Sequence, residues 1–352
     1  MRILMVARRF PPDLHSGSET VFQNLYAQAR RRNEVRLVVG YRRDRSHVPP
    51  EALAVDLRGA GKADAWRRLW LAAWREERRF QPHIVLANSI EVPTLGAPAV
   101  CIVHDLNFGV ASRSAGVRAR ELFYRFKSRR LRRVVTVSRA SRAHLIRVGV
   151  PEDCLHVIHN GVDLDAFTPT PPSSDGVVRF AYPGRILPGK GQHLAVDAVA
   201  RLQARHKKKV HLSIVGAVND RAFFEQLKVQ AYGQPVEVVG DVPELASWYQ
   251  KADVVLFPTL MEEGFGYTAI EAMACGRPVV WADQPAIREA TGGIGFPVPK
   301  GDVEAMRDTM VRLIADPDLR QRVGAEGRRY VEQHYSWAKV WQAYERLLED
   351  AT

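Results

Sequence analysis

Cysteine is scarce in this 352-residue chain, and long apolar runs are missing. The three cysteines, Cys101, Cys154 and Cys275, are odd in number and far apart, with no Cys-x-x-Cys among them. That excludes a disulfide scaffold and a cysteine zinc site, and leads us to expect a reducing cytoplasm. No apolar stretch approaches the ~18–20 residues that a helix needs to cross a bilayer. The apolar start, Met1 to Ala7, meets Arg8-Arg9 too early for a signal-peptide core. Neither a solenoid-period repeat nor a low-complexity tail is present, and no cluster has metal-ligand spacing, so no metal or other cofactor is expected.

What is present describes a globular α/β protein. Hydrophobic residues make up 46% and charged residues 26%, and at roughly 100–200 residues per domain the length suggests two domains. The net charge of +12 is lopsided: residues 1–168 hold 29 Lys and Arg against 16 Asp and Glu, the remainder 22 against 23. Whatever attracts anions over a broad surface is therefore in the first half. Short β-branched runs at Arg2–Ala7, Glu34–Val39, His83–Ala87, Ala99–His104 and Val134–Ser138 alternate with helix-like stretches such as Glu19–Arg31 and Ala65–Phe80. A second series runs Val177–Tyr182, Val210–Val215, Val236–Val239, Asp253–Phe257 and Pro278–Trp281. Near-continuous apolar strands separated by amphipathic helices predict parallel sheets covered on both faces, here two in tandem. The proline- and serine-rich passage 167–176 reads as the linker. The expected division is 1–168, 169–334, and a terminal helix 335–352 that could return to the first domain.

The densest chemistry lies just after the strand Asp253–Phe257, in Glu262-Glu263-Gly264-Phe265-Gly266 and the helix that follows. Gly264 and Gly266 let backbone approach a ligand, and the free N–H groups of a helix start favour an anion. Glu263 sits in the loop, and Glu271, eight positions on, falls about one turn into the helix. Two carboxylates flanking an anion-binding helix start suit a nucleotide-sugar, whose hydroxyls lie on both sides of a diphosphate.

This segment, through Glu-Ala-Met-Ala and the Gly276-x-Pro-Val-Val strand, resembles the E-x7-E signature of the retaining family 4 glycosyltransferases. The resemblance implies a GT-B fold, two facing Rossmann-like domains with parallel sheets. Tyr267-Thr268 departs from the small or apolar pair more usual there. Gly184-Arg185 through Lys190-Gly191 resembles the family's Gly-Arg…Lys-Gly element, whose Arg and Lys contact the donor diphosphate. His159-Asn-Gly-Val-Asp163 with Phe167 and Pro169 resembles its structural passage into the second domain, and the stretch 238–242, with Gly240 and Val242, the strand and turn that receive the base. In the first half, Pro11-Pro12…Ser16-Gly17-Ser18 resembles the Gly-Gly loop beside the phosphates, with Ser18 in place of the second glycine. His104-Asp105 resembles the pair whose His contacts the donor sugar.

Carried over residue by residue, this implies Arg185, Lys190, Glu263 and His104 as catalytic. Gly17, Gly184, Gly240, Val242, Gly264, Phe265, Gly266 and Glu271 would bind the donor. The implied activity is metal-independent transfer of a hexose, such as mannose, glucose or an N-acetylhexosamine, with retention. The donor would be a UDP- or GDP-sugar, and the acceptor a lipid-linked or polysaccharide hydroxyl. A nucleotide-sugar epimerase or phosphorylase-type enzyme on the same fold, or a basic nucleic-acid-binding protein, are the alternatives, although no nucleic-acid module is recognisable. Two motifs mislead. Gly184-x4-Gly189-Lys190 nearly spells a P-loop but has Gly191 where a Ser or Thr belongs, and Asp163-Leu-Asp165 belongs to the interdomain passage.

The basic excess concentrates between Arg113 and Arg133, where nine cations, including Arg118, Arg120, Arg125, Lys127, Arg129 and Arg130, accompany the single acid Glu121 and the apolar Leu122, Phe123, Tyr124 and Phe126. Trp66, Trp70 and Trp74 stand four apart on another basic helix. Basic helices with aromatic anchors predict peripheral attachment to an anionic membrane, here the inner face of the plasma membrane.

Overall fold

The computed structural model describes residues 1–10, 17–42, 45, 48–92, 96–104, 115–173, 175–203, 206 and 209–352. The chain divides into two compact units, Met1–Gly161 with Trp337–Thr352, and Val162–Ser336.

The first unit holds strands β1 (Arg2–Ala7), β2 (Glu34–Tyr41), β3 (Leu53–Asp56), β4 (Ile84–Ala87), β5 (Ala99–Val103), β6 (Arg133–Thr136) and β7 (Leu155–Val157). All pair in parallel, in the order β3-β2-β1-β4-β5-β6-β7. Helices α1 (Gly17–Ala29), α2 (Lys62–Phe80), α3 (Ala115–Ser128) and α4 (Arg139–Arg147) connect them. The central strands are buried along nearly their whole length, as the apolar runs required.

The second unit repeats the plan with β8 (Val178–Pro183), β9 (Val210–Val215), β10 (Val236–Gly240), β11 (Val254–Phe257), β12 (Val279–Ala282) and β13 (Phe296–Val298), ordered β10-β9-β8-β11-β12-β13. Its helices are α5 (Gln192–Ala200), α6 (Arg221–Ala231), α7 (Ala246–Lys251), α8 (Tyr267–Ala274), α9 (Pro285–Thr291), α10 (Val303–Ala315) and α11 (Pro317–His334). Asp220, Asp302 and Asp316 cap α6, α10 and α11 through their carboxylates. Each sheet reverses its strand order once, beside β1 and β4 in the first unit and beside β8 and β11 in the second. Such a reversal opens a crevice at the carboxyl ends of the strands.

Three strands escape the hydrophobic pattern: β3, β7 and β13, all sheet edges of three or four residues. A period needs more residues than that, and β13 carries Pro297, tolerable only at an edge. The proline-rich passage also differs from a free linker. Arg277 donates to the Thr170 carbonyl at 2.8 Å, Arg328 to that of Phe167 at 2.7 Å, and the Ser173 hydroxyl to Asp253 at 2.8 Å. These bonds tie it to the second unit, so the division falls at Gly161/Val162 rather than at 168/169. The last helix, α12 (Trp337–Ala351), belongs to the first unit, where it packs on α1 and β5. Its buried face, Trp337, Val340, Trp341, Tyr344, Leu347, Leu348 and Ala351, repeats at helical spacing.

Candidate active site

The site assembles where the second sheet reverses. After β8 the chain turns through Gly184 and Arg185 into a short 3₁₀ turn, Pro188–Lys190, and then α5. After β11 it runs through Pro258 to Gly266 into α8. The two loops are laced together: the Gly189 carbonyl accepts from the amides of Leu260 and Met261 at 2.9 Å each. Gly191 has φ +75°, and a Cβ there would overlap the Pro258 carbonyl oxygen, so only glycine fits.

Lacing brings Lys190 onto Glu263, Nζ to Oε1, at 2.6 Å. Their side chains are only 12% and 13% exposed, so water screens the pair weakly. The Thr259 hydroxyl donates to the same carboxylate oxygen at 2.7 Å. Lys190 Nζ also stands 5.6 Å from the centre of the Phe257 ring. Buried Gln284 braces the loop, donating to the carbonyls of Thr259 (3.0 Å) and Met261 (2.9 Å) and accepting from the Glu263 amide (3.2 Å). The buried Tyr182 hydroxyl donates to the Lys190 carbonyl. Cation, carboxylate and backbone are therefore held before any ligand arrives, which is what electrostatic preorganisation demands.

Arg185 lies exposed at the start of the same turn, its carbonyl held by Gln192 at 2.8 Å, and its guanidinium has no carboxylate partner among the described residues. Thr268 ties the first turn of α8 to the end of β8, donating to the Pro183 carbonyl at 3.3 Å. One turn on, Glu271 accepts from the Tyr249 hydroxyl at 2.6 Å. Burial pushes the Glu271 carboxyl up to about 7, the Tyr249 hydrogen bond opposing it. Burial likewise raises Tyr249, which stays a donor.

Gly184 and Gly240 end β8 and β10, and between them Gly216 ends β9. The Gly216 amide donates to the Gly240 carbonyl and that of Gly184 to Val215, at 2.8 Å each; a Cβ on Gly216 would overlap the Gly184 carbonyl. A strip of bare backbone thus lies along three adjacent strand ends. Val242 follows it, half-buried, beside Asp241, whose carboxylate accepts from the Val218 amide at 3.1 Å. Gly264 and Gly266 stand where the loop meets α8, but Phe265 turns inward. Its ring is buried, with Tyr267 at 5.6 Å and Tyr335 at 5.5 Å between centroids, so only its main chain can meet a ligand.

Gln284, Tyr249 and Gly216 were missed in the sequence. Gly216 had a signal, following a strand as Gly184 does. Gln284 and Tyr249 had none, because their partners lie 21 and 22 positions away.

In the first unit, His104 follows β5 and its Nε2 lies 2.7 Å from the Asn88 Oδ1, just past β4. That oxygen can only accept, so Nε2 carries the proton, and the buried Nδ1, which has no hydrogen-bond partner among the described residues, carries the lone pair. Burial holds the imidazole down at about 3, neutral at any physiological pH. Gly17 opens α1, exposed. Pro11, Pro12, Ser16, Asp105, Arg113 and the side chains of Arg118 and Arg120 lie outside the described residues.

The basic helices need correcting. Trp66 is half-buried against the core with Arg8 over its ring, so it is no surface anchor. Trp70 and Trp74 stack, 6.2 Å apart with nearly parallel rings, with Arg78 over Trp74, and Trp70 is 40% exposed. Lys127 donates to the Val92 carbonyl at 2.9 Å and burial lowers its pKa, so its ammonium points into the fold. Arg125, Arg129 and Arg130 do face solvent, beside exposed Leu122, Phe123 and Phe126.

Residues 178–316 match the family "Glycosyl transferases group 1", and residues 15–166 "Glycosyltransferase Family 4". The chain is 31% identical over 308 residues to a lipopolysaccharide core biosynthesis mannosyltransferase, LpcC, of Rhizobium leguminosarum bv. viciae, covering 81% of this chain and 84% of that protein. It is 32% identical over 228 residues to a D-inositol 3-phosphate glycosyltransferase of Jonesia denitrificans, a match covering 57% of this chain and about half of the relative (52%). Among solved structures, Anabaena HepE in complex with UDP and glucose superposes with a TM-score of 0.81 at 20% identity, over 99% of this chain and 100% of that one. At that identity the likeness is one of fold, two sheets of parallel strands with flanking helices as in GT-B glycosyltransferases.

Proposed function

The chain belongs to the group 1, family 4 glycosyltransferases, and on that premise we propose that it transfers a hexose with retention, without a metal ion, from a UDP- or GDP-sugar to a hydroxyl of a lipid-linked or polysaccharide acceptor. The observation that carries this reading is the braced Lys190–Glu263 pair at the strand reversal, with Arg185 on the same turn and Glu271 on α8. Lys190 and Arg185 take the diphosphate, Arg185 as a forked donor and Lys190 as a compact charge. Bare backbone at Gly184, Gly216 and Gly240 admits the base end, and Glu271 accepts from the ribose hydroxyls. Glu263, with the main chain of Phe265 and Gly266, meets the sugar. The family resemblance implies a sugar hydroxyl as the donor to the His104 Nδ1.

In the reaction the bond from C1 to the diphosphate oxygen breaks as the acceptor oxygen bonds C1 on the same face. The acceptor's proton passes to the departing phosphate, and the two cations stabilise the charge that collects there. The mannosyltransferase relative supports mannose as the sugar; HepE, in complex with UDP and glucose, supports a UDP-sugar. Thermal-shift screening with UDP, GDP, UDP-glucose and GDP-mannose separates them, because a ligand of the native state raises its melting point. Failure of every nucleotide to shift it would sink the reading. Consumption of donor without any acceptor would instead favour an epimerase.

A second reading concerns α3. Leu122, Phe123 and Phe126 are 51%, 43% and 61% exposed among the cations Arg125, Arg129 and Arg130. Among the described residues no helix is long and apolar enough to cross a membrane. An amphipathic helix of this kind lies in the surface of an anionic bilayer, which supports peripheral attachment at the inner face of the plasma membrane. Vesicles of phosphatidylglycerol and phosphatidylcholine should pellet the protein at low salt and release it at high salt. No pelleting at low salt would end this reading.

A further inference from the structure

Gln284 stands immediately before α9, in extended backbone at φ −141° and ψ 145°, where a Ser, Asp or Asn would cap the helix. Its side chain makes no capping bond to its own helix and crosses instead to the loop after β11. There Nε2 donates to the carbonyls of Thr259 and Met261, and Oε1 accepts from the Glu263 amide. Carbonyls can only accept and a main-chain N–H only donates, so no other orientation of the side-chain amide satisfies all three. The residue is 4% exposed, so water competes little for these bonds.

The contacts fall on alternate residues, Thr259, Met261 and Glu263, and so pin the stretch that delivers Glu263. Met261 is held twice, its carbonyl by Gln284 and its amide by Gly189, the neighbour of Lys190. An ion pair between two long side chains fixes their separation, not their place in the fold. Place comes from the main chain on either side. The Tyr182 hydroxyl holds the Lys190 carbonyl, and Gln284 holds the backbone that carries Glu263.

We propose that Gln284 is a positioning residue for the transfer step, setting where Glu263 and Lys190 stand rather than how tightly the nucleotide binds. This role rests on the glycosyltransferase reading above. In that reading Arg185, Glu271 and the backbone at Gly184, Gly216 and Gly240 also hold the nucleotide, and the Gln284 side chain bonds none of them. A small shift of the pair therefore costs turnover first.

The test compares wild type with Gln284→Met, a side chain of similar length and bulk. Turnover is read as nucleotide released from UDP-glucose or GDP-mannose, with octyl glucoside supplying the acceptor hydroxyl. With the bonds to Thr259, Met261 and Glu263 gone, kcat should fall about tenfold or more while the donor KM stays within about twofold. Gln284→Asn keeps the amide but is a methylene short and should fall between; it carries the test if Gln284→Met does not fold. A merely structural residue would lower the melting point and leave kcat unchanged well below it. Hydrogen exchange reads the bracing without substrate, and the Glu263 amide should exchange faster in either variant. Unchanged kcat, a KM that rises as far as kcat falls, or unchanged exchange at Glu263 overturns the proposal. A wild-type chain that releases no nucleotide from either donor counts against the transferase reading instead, and exchange at Glu263 then decides the bracing alone.

Discussion

The two units share a strand order and use their carboxyl edges differently. In the second, side chains of the site already hold one another, Lys190 on Glu263, Tyr249 on Glu271 and Gln284 bracing the loop between, while Arg185 stays exposed. In the first, Arg8, Arg9, Arg42 and Lys62 gather beside the strand ends, and the His104 Nδ1 has no hydrogen-bond partner among the described residues. The second unit thus holds a cation and a carboxylate together at one place, while the first gathers cations beside its strand ends.

Lys190→Ala strikes that contrast hardest. Removing one preorganised donor from developing charge typically costs about 10²–10³-fold in turnover. The Thr259 hydroxyl still satisfies Glu263, so the circular dichroism spectrum should persist. Near-normal turnover would mean that the second unit is no more a charge clamp than the first.

The two strand-end loops were legible in the sequence for a physical reason. Gly191 and Gly266 answer to backbone constraints a few residues long, and Lys190 and Glu263 sit beside them in strand-end loops. The parallel sheets were legible too, through buried runs such as Ile84–Ala87 and Val254–Phe257. Bracing by Gln284 and Tyr249 was not, since a hydrogen bond between distant strand ends leaves no local pattern. For the same reason the tie from Arg277 to Thr170 was invisible, and the proline-rich passage read as a free linker. On α3, equal spacing could not separate Lys127, turned to Val92, from Arg129 beside it.

His104→Ala probes the first unit's share. One neutral hydrogen bond is worth about 0.5–1.5 kcal/mol, so turnover should fall up to about tenfold with donor-nucleotide affinity nearly unchanged. Because the imidazole is held at about 3, wild type and variant should show the same pH profile between 5 and 8. A difference confined to that range would mean that His104 works by gaining a proton.

Phe126→Ser tests whether the first unit's exposed apolar face is used. A ring lying flat in a bilayer surface gains about half of a full transfer free energy, so vesicle partitioning should drop about fivefold. The melting point should hold to within about 0.5 kcal/mol of stability, as for other surface changes. A large loss of stability instead would make the face structural.

The finest test returns to the second unit, at Glu271. With its carboxyl near 7, the folded protein holds a proton there that the unfolded chain, near 4.3, has released. This group's contribution to stability is therefore full below about 4.3 and is lost as pH rises through about 7. Nucleotide binding runs the other way. Ribose hydroxyls donate to the carboxylate and favour its charged form, so affinity should climb from pH 5.5 and level off above about 7. Tyr249→Phe removes the hydrogen bond that lowers this pKa, which should move the plateau to higher pH and weaken binding at pH 7 about threefold. Glu271→Gln should flatten the profile. A slope that survives in Glu271→Gln would place the titrating group elsewhere, and the second unit would then hold a second ionisable ligand contact that the first lacks.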